Sequence, residues 1–261
     1  AQNFFPTEIK IITIRNCYFE SNHAMVCGGG IYANFVDVTN STDPYYNIPI
    51  IIENCTFISC WTTYKGGGIG SGMAYDIEQP GWVNGDIVID ECYFEGCYAK
   101  YGGGIFSHDG TRIGDEETNI TKCIFNHCSS DFGGCVYSRS YKFIMKDSVF
   151  ENNIDDYVYD GNETKPDPYD PDYYGYTTKS FLYLNMDEEE IDPVIENCTF
   201  RQNELHIIDI NISGTLHMTN CLFDNYSNNH LLELSYIVSR GTDEGNVFSG
   251  CVFQNCGRKA V

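Results

Sequence analysis

The segment at residues 53–60, ENCTFISC, decides the fold because seven further copies of it occur along the chain. Close copies begin at Asp90 (DECYFEGC), Thr121 (TKCIFNHC) and Ser249 (SGCVFQNC), and looser copies begin at Arg15 (RNCYFESN), Lys146 (KDSVFENN), Glu196 (ENCTFRQN) and Thr219 (TNCLFDNY). Every copy has Phe two residues after its Cys or Ser, and an apolar residue three positions before it. Such self-similarity predicts a repeat protein, in which each copy is one structural unit.

The spacing of the apolar residues predicts two corners in each copy. From Ile52 the pattern jumps three residues, across a polar pair, to Cys55. It continues with period two to Phe57 and then jumps three residues again to Cys60. Alternate residues of a strand face the same side. Jumps of three across polar residues therefore indicate a chain that turns while its core stays on one side.

A glycine motif follows the second corner in the first four copies. It reads CGGGIYA from Cys27, KGGGIGS from Lys65, YGGGIFS from Tyr101 and FGGCVYS from Phe132. Because glycine permits tight bends, we predict a repeat of strand, corner, short strand, corner, glycine bend, strand and variable connection. Consecutive motif Phe residues are 23 to 50 residues apart, which fits one turn of a coil plus surface loops.

The repeat predicts an all-β fold, a right-handed parallel β-helix (solenoid) of about eight rungs with loop insertions. It forms a single domain over residues 1–261, with a long surface insertion at about 154–179. Two other folds fit less well. A Greek-key sandwich would give hairpins without a fixed Cys-x-Phe unit, and a leucine-rich repeat would show a Leu/Asn pattern and a helix.

The alternation of the two motifs resembles a known family. FESN, FENN and FRQN match the FxxN motif, Cys replaces Asn in FISC, FEGC, FNHC and FQNC, and GGGI and GGCV match the glycine motif. These motifs resemble the repeats of polymorphic outer membrane proteins of chlamydiae and of similar repeat proteins of protists. The resemblance covers most of residues 10–256. It implies a right-handed parallel β-helix on a cell surface, often with a role in adhesion.

Charge and composition narrow the classes of function. The chain has 37 acidic against 15 basic residues, a net charge of -22, which disfavours nucleic acid and anionic membrane surfaces as partners. No apolar run is long enough to insert directly into a bilayer. Seven Asn-x-Ser/Thr sequons, together with thirteen cysteines, predict an extracellular or cell-surface glycoprotein. The sequon residues are Asn40, Asn54, Asn119, Asn162, Asn197, Asn211 and Asn225.

Eleven cysteines fall into two columns when the copies are aligned. Column one contains Cys17, Cys55, Cys92, Cys123, Cys198, Cys221 and Cys251, and column two contains Cys60, Cys97, Cys128 and Cys256. Neighbouring rungs place Cα atoms within disulfide range, yet parallel Cβ atoms stay farther apart than the roughly 3.8 Å that a disulfide prefers. The sequence is consistent with cross-rung disulfides and also with a column of buried, reduced thiols. Because thirteen is odd, at least one thiol is free or pairs outside the chain.

The largest insertion carries the one cofactor hypothesis. Six of its aspartates offer oxygen ligands to calcium, although a packed surface loop is the simpler interpretation and we predict no cofactor or metal site. These residues are Asp155, Asp156, Asp160, Asp167, Asp170 and Asp172. The tyrosines of the same insertion could instead contact a partner protein or glycan.

The sequence favours a structural or adhesive protein over an enzyme. Polysaccharide lyases and hydrolases also use β-helices, but they need carboxylates clustered with a base in one cleft, and no such constellation is apparent. A carbohydrate-active enzyme is therefore the alternative. Neither end of the sequence has the features of a cap. Across a hypothetical junction of two copies, Phe253 and Phe19 would be 27 residues apart, which lies within the spacing of 23 to 50 residues between consecutive motif Phe residues. We therefore expect end-to-end self-association into a fibre, or a longer surface rod, with other cell-surface proteins or glycans as further partners.

Overall fold

The computed structural model describes residues 11–33, 49–72, 86–107, 117–132, 134–140, 142–153, 180–186, 192–201, 206–212, 215–224, 237–239 and 246–255. These residues form four parallel β-sheets, and they contain no helix that could cross a membrane. The stacking order of the strands confirms an all-β parallel β-helix of about eight rungs. The right-handed sense of the coil stays a prediction.

Twenty-seven strands are present in the described residues. In chain order they are β1 (Ile12–Arg15), β2 (Tyr18–Glu20), β3 (His23–Ala24), β4 (Ile31–Ala33), β5 (Ile50–Glu53), β6 (Thr56–Ile58), β7 (Trp61–Thr62), β8 (Ile69–Ser71), β9 (Ile87–Asp90), β10 (Tyr93–Glu95), β11 (Tyr98–Tyr101), β12 (Ile105–Ser107), β13 (Glu117–Thr121), β14 (Ile124–Asn126), β15 (Ser129–Phe132), β16 (Val136–Ser138), β17 (Lys142–Lys146), β18 (Val149–Glu151), β19 (Ser180–Met186), β20 (Val194–Glu196), β21 (Thr199–Arg201), β22 (His206–Ile212), β23 (His217–Thr219), β24 (Leu222–Asp224), β25 (Ile237–Ser239), β26 (Val247–Ser249) and β27 (Val252–Gln254).

Each of the eight copies of the motif forms part of one rung. Sheet 1 has the order β1-β5-β9-β13-β17-β20-β23-β26 and precedes the first corner, and sheet 2 has the order β2-β6-β10-β14-β18-β21-β24-β27 and contains the motif Phe. Sheet 3, β15-β11-β7-β3, follows the second corner, and sheet 4, β25-β22-β19-β16-β12-β8-β4, follows the glycine bend. The short strands of sheet 3 are absent from the predicted repeat, which passed directly from the second corner to the glycine bend.

A left-handed backbone conformation makes both corners. The residue before each column-one position has a positive φ in all eight rungs, namely Asn16, Asn54, Glu91, Lys122, Asp147, Asn197, Asn220 and Gly250. At the second corner the same conformation occurs at Ser21, Ser59, Gly96, His127, Asn152 and Asn255. Nine of these fourteen residues are Asn, Asp or Gly, which adopt this conformation at the lowest cost. The other five are Ser21, Ser59, Glu91, Lys122 and His127, so the corners also form at other polar residues.

The interior is built of like residues stacked from rung to rung. The motif Phe residues pair in register through sheet 2, and successive ring centroids lie 4.6 to 5.2 Å apart. The apolar residues of sheet 1 stack in the same way, with Ile52 next to Ile14 and Ile89. Full burial of such a side chain contributes about 1.5–3 kcal/mol, so the stacked columns form the main core.

The Phe column and the glycine motif depend on each other. A Cβ atom on Gly68 would lie 2.8 Å from the ring of Phe94, and one on Gly104 would lie 3.0 Å from the ring of Phe125. The third glycine of the first three motifs therefore leaves room for the Phe of the following rung. This contact explains why the two motifs alternate along the chain.

Candidate functional site: the cysteine columns and the end faces

The cysteine columns lie inside the coil as free thiols. No disulfide joins any two of the twelve described cysteines, and ten of them are buried. Cys17 and Cys251, in the first and last rungs, are partly exposed. Cys256 lies outside the described residues. Cys135, which the column alignment missed, is buried and its thiol contacts that of Cys128. The sequence signal for this buried cysteine was its position, because it stands in place of the third glycine in FGGCVYS.

Each column thiol lies within hydrogen-bond distance of one backbone carbonyl in the rung before and of one in its own rung. The Sγ of Cys92 lies 3.6 Å from the carbonyl oxygen of Ile52 and 3.3 Å from that of Asp90, and the Sγ of Cys97 lies 3.5 Å from the carbonyl oxygen of Phe57 and 3.7 Å from that of Glu95. The other column cysteines described in rungs 2–8 repeat the contact with the rung before. A thiol is a weak donor, so each contact adds little, but the contacts recur along the coil.

Two polar residues replace cysteine in the fifth rung and keep the link between rungs. Ser148 Oγ accepts from the backbone N–H of Cys123 at 3.1 Å. Asn153 Oδ1 accepts from the backbone N–H of Cys128 at 2.8 Å, and its Nδ2 donates to the carbonyl of Phe125 at 3.1 Å. The two column positions thus select side chains that hydrogen-bond to the neighbouring rung, and Cys, Ser and Asn all satisfy this requirement.

Burial keeps many of the column thiols protonated. It raises the pKa of Cys55 to about 11 and holds the pKa of Cys123 and Cys128 well above the ordinary value. In the pair formed by Cys198 and Cys221, the contact between the two thiols lowers the pKa of Cys221 and raises that of Cys198. Because the thiolate is the reactive form, thiols that are protonated and buried have low reactivity.

Two predicted glycosylation residues occupy exposed corners. Asn54 Nδ2 donates to Asn16 Oδ1 at 2.7 Å, and Asn197 Nδ2 donates to Asp147 Oδ1 at 3.1 Å, so each side chain lies on the outer corner of its rung. Asn119 is half-buried in strand β13, and its Nδ2 donates to Glu117 at 3.1 Å. Asn211 lies in strand β22. Asn40, Asn162 and Asn225 lie outside the described residues.

Charged side chains pair across neighbouring rungs on the outer surface. Arg15 contacts Glu53 at 2.7 Å, Lys122 contacts Glu91 at 3.0 Å, and further pairs join Lys142 to Glu117, Lys146 to Glu196 and Arg201 to Glu151. Within the described ranges, no three His, Cys, Asp or Glu side chains form a group that could hold a metal ion. The proposed calcium ligands of residues 155–172 lie outside those ranges.

The first and last described rungs leave core residues exposed, and we call these two surfaces the end faces. In rung 8, Phe248 is 43% exposed and Phe253 is 36% exposed, whereas their neighbours Met218 and Phe223 in rung 7 are at most 2% exposed. In rung 1, Ile12 is 49% exposed, against 5% for Ile50 below it. Both end faces therefore present the apolar columns that every interior rung buries.

The stacked sheets and the buried thiols define a parallel β-helix repeat protein that is rich in cysteine. Comparisons with known protein families, with curated proteins and with solved structures gave no match to this chain. The assignment of the fold class therefore depends on the parallel register of the strands themselves, which is continuous through sheets 1 and 2 over eight rungs.

Proposed function

We propose that this chain is a structural and adhesive rod of the extracellular space or cell surface, which extends by end-to-end stacking of its rungs. The pair of apolar end faces is the observation that carries this proposal. Terminal repeats of a soluble solenoid need a polar outer surface, and an open sheet edge invites another strand. Among the described residues, no polar surface covers Phe248 and Phe253 at one end face or Ile12 at the other.

The two end faces match each other in sheets 1 and 2. Continuing the register of sheet 2 from strand β27 to a second copy places Phe253 on Phe19, in the same column of rings. Continuing sheet 1 places Phe248 on Ile14. The outward residues beside these positions bring no like charges together, since Gln254 would lie next to Glu20 and Ser249 next to Arg15. In sheets 1 and 2, a second copy therefore repeats the contacts that hold the interior rungs together.

The outer surface suits a cell-surface location. Asn54 and Asn197 lie on exposed corners, where glycans would point away from the coil. The resemblance of the FxxN and GGxI-type motifs to polymorphic outer membrane proteins supports an adhesive role. Other cell-surface proteins or glycans are the partners that this role implies.

Electron microscopy of the purified chain tests the stacking. Eight rungs at about 4.8 Å each give an expected axial repeat of about 38 Å along uniform fibres. Phe253→Glu should abolish the fibres, because it places a charge on an end face. Ile124→Glu adds the same charge at an exposed position on the outer face of sheet 2 and should leave the fibres intact.

Three results would overturn the stacking proposal. One is a uniform monomer of the wild-type chain at high concentration. Another is equal loss of fibres in both variants, with the fold of each checked by circular dichroism. The third is a native polypeptide much larger than 29.5 kDa in which further rungs of the same chain cover both end faces.

A further inference from the structure

The two partly exposed cysteines of the described residues lie on opposite end faces. Cys17 is in rung 1 and Cys251 is in rung 8, and both belong to column one. On the basis of the proposed stacking, we propose that a disulfide joins Cys251 of one copy to Cys17 of the next and seals the fibre covalently. The site is thus one modification site made of two halves, one at each end of the rod.

The rung-to-rung hydrogen bonds specify how the two cysteines meet. Inside the chain, the N–H after each column-one cysteine donates to the carbonyl of the cysteine one rung before, as Thr56 does to Cys17 at 2.9 Å. At the junction, by the same pattern, the backbone N–H of Tyr18 in the next copy would donate to the carbonyl oxygen of Cys251. The N–H of Gly250 would then donate to the carbonyl of Arg15 of the next copy, as Asn220 does to Ser249 at 2.8 Å. Two hydrogen bonds therefore flank the pair of sulfurs.

Exposure distinguishes this pair from the interior pairs. Interior column thiols are buried, whereas an oxidant reaches Cys17 and Cys251 before the copies join. Parallel strands hold neighbouring Cβ atoms near the strand spacing of about 4.8 Å, and a disulfide prefers about 3.8 Å. The junction has the same strand spacing, so the two cysteines must approach each other by about 1 Å to close the bond.

The reaction balances with a small disulfide as the oxidant, and glutathione disulfide is the probe. One cysteine thiolate attacks a glutathione sulfur, which forms a mixed disulfide and releases one reduced glutathione. The second cysteine then displaces the other glutathione. Two electrons pass from the cysteines to the oxidant, and the two thiol protons end on the two reduced glutathione molecules. Burial raises the pKa of Cys251. The rate should therefore rise with pH as the thiolate fraction grows.

Non-reducing electrophoresis after treatment with glutathione disulfide at pH 8 is the test. We use a Cys256→Ser background, so that the cysteine outside the described residues cannot contribute. The parent should give a ladder at multiples of 29.5 kDa that a reductant collapses. Cys17→Ser alone and Cys251→Ser alone should each stay monomeric on the gel. An equimolar mixture of these two variants should give dimers and no higher species. A matched interior variant, Cys92→Ser, should keep the ladder.

The outcomes separate this inference from the proposed stacking. Fibres by electron microscopy without a ladder after oxidation overturn the disulfide and leave the stacking in place. Absence of both fibres and ladder overturns both. A dimer formed by Cys251→Ser alone would show that Cys17 pairs with Cys17, a contact between like faces, and would overturn the head-to-tail assignment.

Discussion

The interior and the end rungs of this coil have the same sequence motif and different environments. Phe94 in rung 3 lies between two parallel rings, at 4.8 and 4.9 Å, whereas Phe253 in rung 8 has a described ring on one side, at 4.6 Å. A side chain in a solenoid is buried in large part by the rungs on either side of it. The difference shows that the stability of each rung depends on its neighbours, so we expect rungs 1 and 8 to be the least stable of the described rungs.

Glycine substitutions in an interior rung should have the largest effect. In Gly103→Ala the new Cβ would lie 2.2, 2.6 and 2.8 Å from three backbone carbonyl oxygens, so neighbouring strands would have to separate. We expect a loss of more than about 4 kcal/mol in the free energy of unfolding, or no folded protein. Gly96→Ala is the control, because its nearest contact is Ser59 Oγ at 3.5 Å. At its φ of 60° it should cost only about 1–2 kcal/mol. Urea unfolding measures both, and equal losses would contradict the account.

Phenylalanine truncation sharpens the comparison between interior and end. Phe94→Ala removes a fully buried ring and should lower the free energy of unfolding by about 3–5 kcal/mol. Phe253→Ala should cost the unassembled chain about half as much or less, because its ring is partly exposed. Urea unfolding at low protein concentration tests the difference. A cost for Phe253→Ala as large as that for Phe94→Ala would show that something already covers the end face.

A smaller effect is expected at Asn153, which links rungs 4 and 5. Asn153→Ala would leave the N–H of Cys128 and the carbonyl of Phe125 without these hydrogen bonds inside the coil, at a cost of about 1–3 kcal/mol. Asn153→Cys restores the residue that other rungs use and should cost less. If the cysteine variant were the less stable of the two, the view that these positions select side chains that hydrogen-bond to the neighbouring rung would be wrong.

The smallest effect should be a loss of stability at alkaline pH. Burial raises the pKa of Cys55 from 9.0 to about 11, so protonation of this thiol favours the folded state. Its contribution is complete below pH 9 and is lost as the pH rises from 9 through 11. Urea midpoints of the parent should fall over this range, and those of Cys55→Ser should fall less. Identical profiles for the two proteins would contradict the burial of this thiol.

The sequence predicts the repeated unit well because stacking forces like residues into line. The corners around Cys55 and Cys60, the Phe column and the strand after the glycine bend all lie where the spacing of apolar and polar residues indicates. A parallel in-register coil leaves few other arrangements for such a pattern, since each rung must present the same residue to the next.

Other features depend on contacts between rungs and are not encoded in any one copy. The two-residue strand at Trp61 and Thr62 is too short to produce a periodic signal. The approach of Cys135 to Cys128 needs the three-dimensional path of the glycine bend. The motif of Phe253, CVF, does not by itself indicate exposure, because it is the same type as the buried CTF motif of rung 2, and only its place in the last copy predicts that it is uncovered.

Hydrogen–deuterium exchange at several protein concentrations tests most directly whether the end faces are covered by other copies. We predict that the amides of β1, β2, β26 and β27 exchange fast in dilute solution and become protected as concentration rises. The amides of β9 and β10 should be protected throughout, because both sides of these strands are already paired. End strands that exchange equally fast at every concentration would contradict the account.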